Sequence, residues 1–233
     1  MRTKNAIVGF ASSMQAIGLL GVAITLLSSS WADVEIRTYN ESDNVAPGQT
    51  KSRLLSVGEP SPYYATSPFA ISLTPQLEAP SQKWDVMPLR LNILVGSHRT
   101  VQGLDLGVLG GFSDYKMNGL GIAGIFNSIG ESEGALNIAG IVNFVAFDYS
   151  GCQISGIYSC TEGKHVGIQL AIGNFAGRLT GAQIGVFNRA EKGAGLQLGV
   201  INSSDCLKGV QIGVLNLNKS SAIPLLPIVN FAF

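Results

Sequence analysis

A short motif recurs along the C-terminal half of the chain at nearly constant spacing. Three consecutive copies read Gly181-Ala-Gln-Ile-Gly-Val-Phe-Asn188, Gly195-Leu-Gln-Leu-Gly-Val-Ile-Asn202 and Gly209-Val-Gln-Ile-Gly-Val-Leu-Asn216. The residue that closes the motif recurs at steps of 16, 16, 15, 14, 14, 14 and 14 residues, at Asn127, Asn143, Ser159, Asn174, Asn188, Asn202, Asn216 and Asn230. A constant period indicates one structural unit copied many times. Copied units build a surface or a wall more often than a catalytic pocket.

Within each copy, apolar residues alternate with glutamine and glycine. Leu196, Leu198 and Val200, for example, are separated by Gln197 and a glycine. A period of two over eight residues predicts a β-strand. From the first copy onward, the charged residues fall between copies, so we expect the connections to be solvent-exposed turns.

Three consecutive copies carry one extra residue. Alignment with the shorter copies places the insertion at Ala123, Ala139 and Ser155. An extra residue in one strand of a sheet is typical of a β-bulge, which bends and twists the strand locally. We therefore predict β-bulges at these three positions.

The sequence divides into three segments. Residues 1–32 resemble a secretory signal peptide, with a positively charged start, an apolar run over residues 17–27 and small residues near a cleavage site. Residues 33–66 are polar and lack periodicity, which predicts a flexible leader. Residues 67–233 are predicted to form one repetitive all-β domain of about 10 to 12 strands.

Two architectures accommodate these strands. Short strands, sparse aromatic residues and uniformly short connections favour a β-solenoid with 14-residue coils, in which the motif asparagines would form a ladder. The apolar final segment, 222–233, favours an antiparallel up-and-down β-barrel, because its last alternation resembles the terminal strand of bacterial outer-membrane barrels. We predict the barrel, built from ~14-residue single-strand repeats, with the solenoid as the alternative.

Composition excludes several classes of protein. The chain has 233 residues, of which 46% are hydrophobic and 13% are charged, and its 15 basic and 15 acidic residues give a net charge of zero. No basic patch suggests binding to nucleic acid. The three cysteines, Cys152, Cys160 and Cys206, are odd in number and show no metal-ligand spacing. We predict neither a metal nor a cofactor.

Motifs for catalysis are weak. Gly119-Leu-Gly-Ile-Ala-Gly124 matches a dinucleotide-binding fingerprint by letter, but it lies inside a repeat and opens no helix. The two histidines, His98 and His165, fall in predicted turns, where solvent exposure explains them better than a catalytic role. No catalytic residue is predicted from these motifs.

Two pairs of acidic residues lie close in sequence. They are Glu131 with Glu133, and Asp105 with Asp114. Such pairs can act as general acid and base, but turns between strands require polar residues in any case. A small barrel enzyme remains a third class of function, with no residue pattern that supports it.

A column of glutamines is the most distinctive polar feature of the repeats: Gln153, Gln169, Gln183, Gln197 and Gln211. In a barrel, this column would line a narrow polar lumen. In a solenoid, it would lie on a flat, solvent-facing sheet suited to an extended partner. A third interpretation is a hydrogen-bonded ladder without a ligand.

The sequence resembles the bacterial surface-repeat proteins first noted in spirochaetes. The resemblance rests on Leu89-Arg-Leu-Asn-Ile-Leu-Val-Gly96, on Val101-Gln-Gly-Leu-Asp-Leu-Gly107, on the serial Gly-x-Gln-Ile-Gly-Val-x-Asn units and on the closing Pro-Ile-Val-Asn-Phe-Ala-Phe233, and it covers about residues 67–233. It implies an exported, envelope-associated protein of unassigned activity, with no catalytic residues to carry over. Departures from the motif are Gly110 and Ser159 at the asparagine position, and Ala171 and Pro227 at the glycine position.

We therefore expect a non-enzymatic, exported protein of a diderm bacterium, embedded in or attached to the outer membrane. Its role would be structural or one of surface interaction. Expected partners are outer-membrane lipid and an unidentified surface or host partner, with no nucleic acid. The alternative is a soluble β-solenoid adhesin or scaffold that binds through its glutamine and glycine face.

Overall fold

The computed structural model describes residues 65–232. The predicted signal peptide at 1–32 and nearly all of the predicted leader at 33–66 lie outside the described residues. Every regular element in the described part of the chain is a β-strand. The strands are β1 Thr66–Thr74, β2 Leu77–Ala79, β3 Asp85–Asn92, β4 Val95–Gly107, β5 Gly110–Ala123, β6 Phe126–Ala139, β7 Val142–Val145, β8 Tyr149–Ser155, β9 Tyr158–Leu170, β10 Gly173–Ile184, β11 Phe187–Leu198, β12 Ile201–Asn218 and β13 Leu225–Ala232.

Successive repeats pair in parallel and in register. Gln183 of β10 lies opposite Gln197 of β11, which lies opposite Gln211 of β12, and the flanking residues keep the same offset. Parallel neighbours at a constant offset are the coils of a β-solenoid. The barrel prediction is therefore wrong, because an up-and-down meander requires each strand to run opposite to its neighbours. The all-β class and the solenoid alternative are confirmed.

A 14-residue coil consists of one long bent strand and a two-residue corner. β11 ends at Leu198, and residues 199–200 turn the chain into β12. Asn188 and Gln197 of this coil point inward and are buried, whereas Leu198 is exposed. Asparagine from one arm of the coil and glutamine from the other therefore line the interior.

Small apolar clusters fill the remaining interior. The cluster in the C-terminal coils consists of Ala176, Leu179, Ala190 and Leu207. The cluster in the N-terminal coils consists of Val101, Met117, Ile129, Ala135, Val145 and Tyr149. Since these clusters are small, much of the interior is polar, and its stability depends on hydrogen bonding of the buried amides.

The longer coils absorb their extra residues without bulges at the predicted positions. Ala123 lies opposite Ala139, and Ala139 opposite Ser155, in regular parallel pairing. The bulge prediction is wrong there because the insertion lengthens the arm by one residue before the corner. A register shift occurs instead at the other corner, for example between Ala176 and Arg178.

A column of glycines lets neighbouring coils approach closely. Gly181, Gly195 and Gly209 stack on one another and have φ angles of 135°, 151° and 141°. A Cβ atom on each would lie 2.0, 1.9 and 2.0 Å from the carbonyl oxygen of the preceding glycine in the column. Both the backbone conformation and the contact therefore require glycine.

Antiparallel strands close both ends of the coil stack. β2 pairs antiparallel with β1, and β13 pairs antiparallel with β12. Asn230 of β13 lies opposite Gln211. It is therefore not another copy of the motif asparagine, although its spacing in the sequence is that of the repeat.

Candidate functional site

The predicted glutamine column lies inside the solenoid. From Gln169 onward, the Nε2 group of each glutamine donates to the Oε1 atom of its counterpart in the preceding coil, and all five side chains are at most 1% exposed. The distances are 2.9 Å for Gln169 to Gln153, 2.8 Å for Gln183 to Gln169, 2.7 Å for Gln197 to Gln183 and 2.6 Å for Gln211 to Gln197. These residues therefore hold coils together and do not form a solvent-facing surface.

The same amides also connect the two arms of a coil. The Nε2 group of Gln183 donates to the carbonyl oxygen of Arg189 at 3.1 Å, and that of Gln211 to the carbonyl oxygen of Leu217 at 3.1 Å. Buried amides with partners both between and within coils cost little to desolvate. The geometry is that of an amide ladder of the kind found in stacked, in-register strands.

A second ladder is formed by the motif asparagines. Asn174 donates through Nδ2 to Oδ1 of Asn188 at 2.9 Å, Asn188 to Asn202 at 2.8 Å, and Asn202 to Asn216 at 2.7 Å. Asn127 donates to Asn143 in the same way at 3.1 Å. The asparagine side chains donate toward the C-terminal coils, whereas the glutamine side chains donate toward the N-terminal coils.

The glutamine column continues into the N-terminal coils with other residues. Its register runs backward from Gln153 through Asn137, Gly121 and Asp105 to Arg90. The sequence-based interpretation missed this continuation because the side chains differ in type. The signal that could have revealed it is the spacing from the glycine column, because the residue two after the glycine is Asp105 in Gly103-Leu-Asp105 and Gly121 in Gly119-Leu-Gly121, as it is Gln153 in Gly151-Cys-Gln153.

Arg90 and Asp105 form an ion pair within the core. Arg90 donates from Nε to Oδ1 of Asp105 at 2.7 Å and from Nη2 to Oδ2 at 2.5 Å. Nη1 of Arg90 donates to the carbonyl oxygen of Phe112 at 2.7 Å, and Asn92 donates to Oδ1 of Asp105 at 2.9 Å. Gly111 lies opposite Asn127, so it, and not Gly110 as the sequence predicted, occupies the asparagine position of its coil. It leaves room for the guanidinium, because a Cβ atom there would lie 2.7 Å from Nη2.

The acidic residues that lie near one another in the sequence are bound to different partners or differ in burial. Asp105 is buried against Arg90, whereas Asp114 is exposed. Glu131 and Glu133 both lie in β6: Glu133 is exposed and pairs with Lys116 at 2.6 Å, and Glu131 is half-buried opposite Lys116 in the register. Among the described residues, no group of three or more histidine, cysteine or carboxylate side chains is placed to hold a metal ion.

The two histidines are buried, contrary to the prediction that they lie in exposed turns. The side chain of His98 in β4 lies against Pro80, whose carbonyl oxygen accepts a hydrogen bond from Nε2 at 3.2 Å. His165 in β9 contacts Thr161 through Nδ1 at 3.2 Å and stacks on Tyr149. Desolvation by burial lowers the pKa of each imidazole to about 4. His98 lies just before the register shift of β4 and His165 just after that of β9, and both side chains point into the coil.

Replacement of His165 by glutamine is expected to make the protein more resistant to acid. An imidazole with a pKa of about 4 in the fold and 6.5 when unfolded takes up a proton on unfolding between these values. Its contribution to stability is therefore complete above about pH 6.5 and is lost as the pH falls toward 4, by roughly 2 to 3 kcal/mol. Urea unfolding of wild type and His165→Gln at pH 7.5 and 4.5 measures this difference, because the imidazole of the unfolded chain is mostly neutral at the first pH and mostly protonated at the second.

Glu78 and Glu162 provide an opposing contribution. Burial raises the pKa of each carboxyl group to about 7, so their contribution to stability is complete below pH 4.5 and is lost as the pH rises to about 7. This contribution is common to wild type and His165→Gln, and it cancels in the comparison. An unchanged gap between the two proteins at both pH values would contradict the role assigned to His165.

The outward side of the coils carries a continuous apolar surface. Two columns of side chains, which we call the apolar face, alternate with the buried glutamine column. The first column is Phe69, Leu89, Leu104, Leu120, Leu136, Cys152, Ile168, Ala182, Leu196, Val210 and Phe231. The second is Ile71, Leu91, Leu106, Ile122, Ile138, Ile154, Leu170, Ile184, Leu198, Ile212 and Val229. Neither column contains a charged or strongly polar side chain.

Side chains of the apolar face are substantially exposed. Ile168 is 43% exposed, Leu198 is 40% exposed and Phe231 is 59% exposed. Beside the face, the corner residues Val186, Val200 and Val214 extend the apolar surface and are also exposed. The repeat therefore buries its amides and presents its aliphatic side chains to the outside.

A shallow groove lies at the N-terminal end of the apolar face. It has a volume of about 320 Å³ and is lined by Leu91, Asn92, Ile93, Leu106, Gly107, Val108 and Ile122. Its walls are almost entirely carbon, so they suit an apolar group. No helix within residues 65–232 is long and apolar enough to cross a membrane.

The three cysteines are free in the described residues. Cys160 is buried, Cys206 is exposed and lies outside the two columns, and Cys152 is half-buried within the first column.

Comparisons of the chain with protein-family models, with curated proteins and with solved structures found no match. The apolar face is therefore the feature of the molecule that bears most directly on its function.

Proposed function

We propose that this chain is an exported, non-enzymatic structural protein of the cell envelope, and that it acts by binding partners through its apolar face. The observation that carries the proposal is the unbroken apolar surface across the stacked coils. Export and an envelope location rest on the signal-like segment at residues 1–32 and on the resemblance to surface-repeat proteins.

The extent of the apolar face supports a binding role. Each column has one residue per coil, and coils in a parallel sheet are about 4.8 Å apart, so eleven members extend over about 48 Å. With a width of about 14 Å across two columns, the face covers roughly 670 Å². The largest apolar patch on a typical monomer is roughly 300 to 600 Å² and is often functional.

Charge distribution supports the same surface. Exposed charges such as Arg178, Lys192 and Lys208 lie outside the two columns of the apolar face, and Arg189 pairs with Asp205 at 3.3 Å. The charged side chains are therefore kept out of the apolar face. A soluble protein with such a division is typically one in which another surface covers the apolar side.

The buried polar groups support a structural role over catalysis. The five glutamines bond to one another, four of them also bond to backbone carbonyl oxygens, and Arg90 bonds to Asp105. These groups hold neighbouring coils together. The proposed binding surface therefore differs from the glutamine and glycine face of the sequence-based alternative, because that face is inside the solenoid.

Acidic substitutions on the apolar face are expected to abolish partner binding. The test uses Leu170→Glu with Leu198→Glu, which places two charges in one column of the face. The matched control is Thr180→Glu with Ala194→Glu, at exposed positions outside the two columns and in register with Lys208. Because a desolvated, unpaired charge costs several kcal/mol, the face variant should lose at least about tenfold in the fraction retained with the envelope.

The measurement is fractionation of a diderm host that expresses the full precursor. Wild type and control should be found in envelope complexes after in-cell cross-linking, and the face variant should not. Circular dichroism and the urea midpoint should be the same for the two variants, because all four positions point outward. Equal retention of both variants, or accumulation of wild type in the cytoplasm with its N-terminus uncleaved, would contradict the proposal.

A further inference from the structure

We infer that the partner of the apolar face is a second copy of this chain, docked face to face in antiparallel orientation. This inference rests on the proposed function and identifies the molecule that binds the apolar face. Three features of the face carry it: its area, the charge of its rim and the symmetry of its columns.

The area of the face matches the requirement of a stable pair. Roughly 670 Å² from each copy gives an interface of roughly 1,300 Å², and specific protein interfaces bury about 1,200 to 2,000 Å². The contact would be sheet on sheet, with aliphatic side chains of the two copies interdigitating at a separation of about 10 Å. A smaller partner, such as a single peptide strand, would leave most of the face exposed.

The rim of the face favours a protein partner over a lipid surface. Binding to anionic lipid is typically strengthened by a rim of lysine and arginine and by tryptophan at the interface. Here the column that borders the face contains a single cation, since it consists of Gln102, Asn118, Ser150, Val166, Thr180, Ala194 and Lys208. The face contains no tryptophan. The net charge of the whole chain is zero, so two copies do not repel each other strongly.

The columns of the face are arranged symmetrically about their centre. The first column has Phe69 and Phe231 at its ends and Cys152 as its sixth member of eleven; the second has Ile154 as its sixth. In a closed two-fold pair, the same patch is used by both copies, and residues at equal distances from the axis meet. An antiparallel pair in full register therefore aligns the two phenylalanine ends with each other and places Cys152 of one copy against Cys152 of the other.

Light scattering of the purified mature chain tests the association. Wild type should be dimeric, with a dissociation constant below about 10 μM, as expected for an interface of this size. Leu170→Glu with Leu198→Glu should be monomeric at the same concentration, and Thr180→Glu with Ala194→Glu should remain dimeric. A wild-type monomer at about 100 μM would overturn the inference.

Thiol cross-linking tests the orientation. Burial raises the pKa of the Cys152 thiol, so a short bismaleimide is applied at about pH 8.5. Cys206→Ser should still give a cross-linked dimer, whereas Cys152→Ser should not. Cross-linking that requires Cys206 instead would place the contact on another side and overturn the inference.

Vesicle binding separates this inference from the proposed function. Vesicles of phosphatidylethanolamine and phosphatidylglycerol are floated with the purified wild type. A monomer that floats through an intact apolar face would identify lipid as the partner, which overturns the inference and leaves face-dependent envelope binding in place. A face-dependent dimer that is never exported would retain the inference and overturn the envelope role.

Discussion

Asp105→Ala is expected to lower the free energy of unfolding by about 3 to 5 kcal/mol, which is typical of removing one partner of a buried ion pair. The substitution leaves Arg90 buried without its carboxylate. Only the carbonyl oxygen of Phe112 and the hydroxyl of Ser113 then remain as acceptors for its guanidinium. Urea unfolding at neutral pH, followed by circular dichroism, measures the loss.

Two further variants show whether the loss comes from the unpaired charge. Glu191→Ala removes an exposed carboxylate and should change stability by no more than about 0.5 kcal/mol. Arg90→Met combined with Asp105→Leu removes both charges and should recover most of the stability lost in Asp105→Ala. A double variant as unstable as the single one would show that the shape of the site, and not the charge, determines the loss.

Gly181→Ala is expected to destabilise the fold by about 2 to 5 kcal/mol, from backbone strain together with overpacking. The residue has a φ of 135°, which side chains rarely adopt. The new Cβ atom would lie 2.0 Å from the carbonyl oxygen of Gly167. Neighbouring coils would have to separate, which lengthens the ladder bonds between Gln169 and Gln183.

Gly134 in β6 provides the control for that substitution. A Cβ atom added at Gly134 has open space around it, and Gly134 is exposed. Gly134→Ala should therefore be neutral or slightly stabilising, within about 1 kcal/mol. If both glycine variants had similar unfolding midpoints in urea, the close approach of coils at Gly181 would not be a determinant of stability.

The repeat period was sufficient to predict strands and a single copied unit, but not their direction. Leu196, Gln197 and Leu198 have the same alternation in a meander and in a coil. The direction is determined by contacts between copies, because identical residues at a 14-residue offset can hydrogen-bond to each other only if the chains run parallel and in register. The 14-residue offset can be read from the sequence. The direction in which neighbouring strands pair depends on contacts between residues that are far apart in the chain.

The side that faces inward was also not predictable from alternation. Hydrophobicity alone would place Leu198 inside and Gln197 outside, and the structure has the reverse. Two features decide it: the glutamine amides find partners in the coils above and below, and the adjacent glycines allow the coils to approach closely enough for these bonds. Arg90 and Asp105 occupy the same column as the glutamines, but their side chains differ from glutamine in type. A search for repeated residues therefore does not find them.

The opposite directions of the two amide ladders have a consequence for the length of the molecule. Each ladder is a row of aligned side-chain dipoles, and a single row would accumulate charge at its ends as coils are added, as a helix does. Here the glutamine row points toward the first coils and the asparagine row toward the last, so the two dipoles oppose each other in the C-terminal coils that carry both residues. Because each such coil contributes one amide of each direction, a coil added there would leave the two rows balanced while it lengthened the apolar face by the width of one strand.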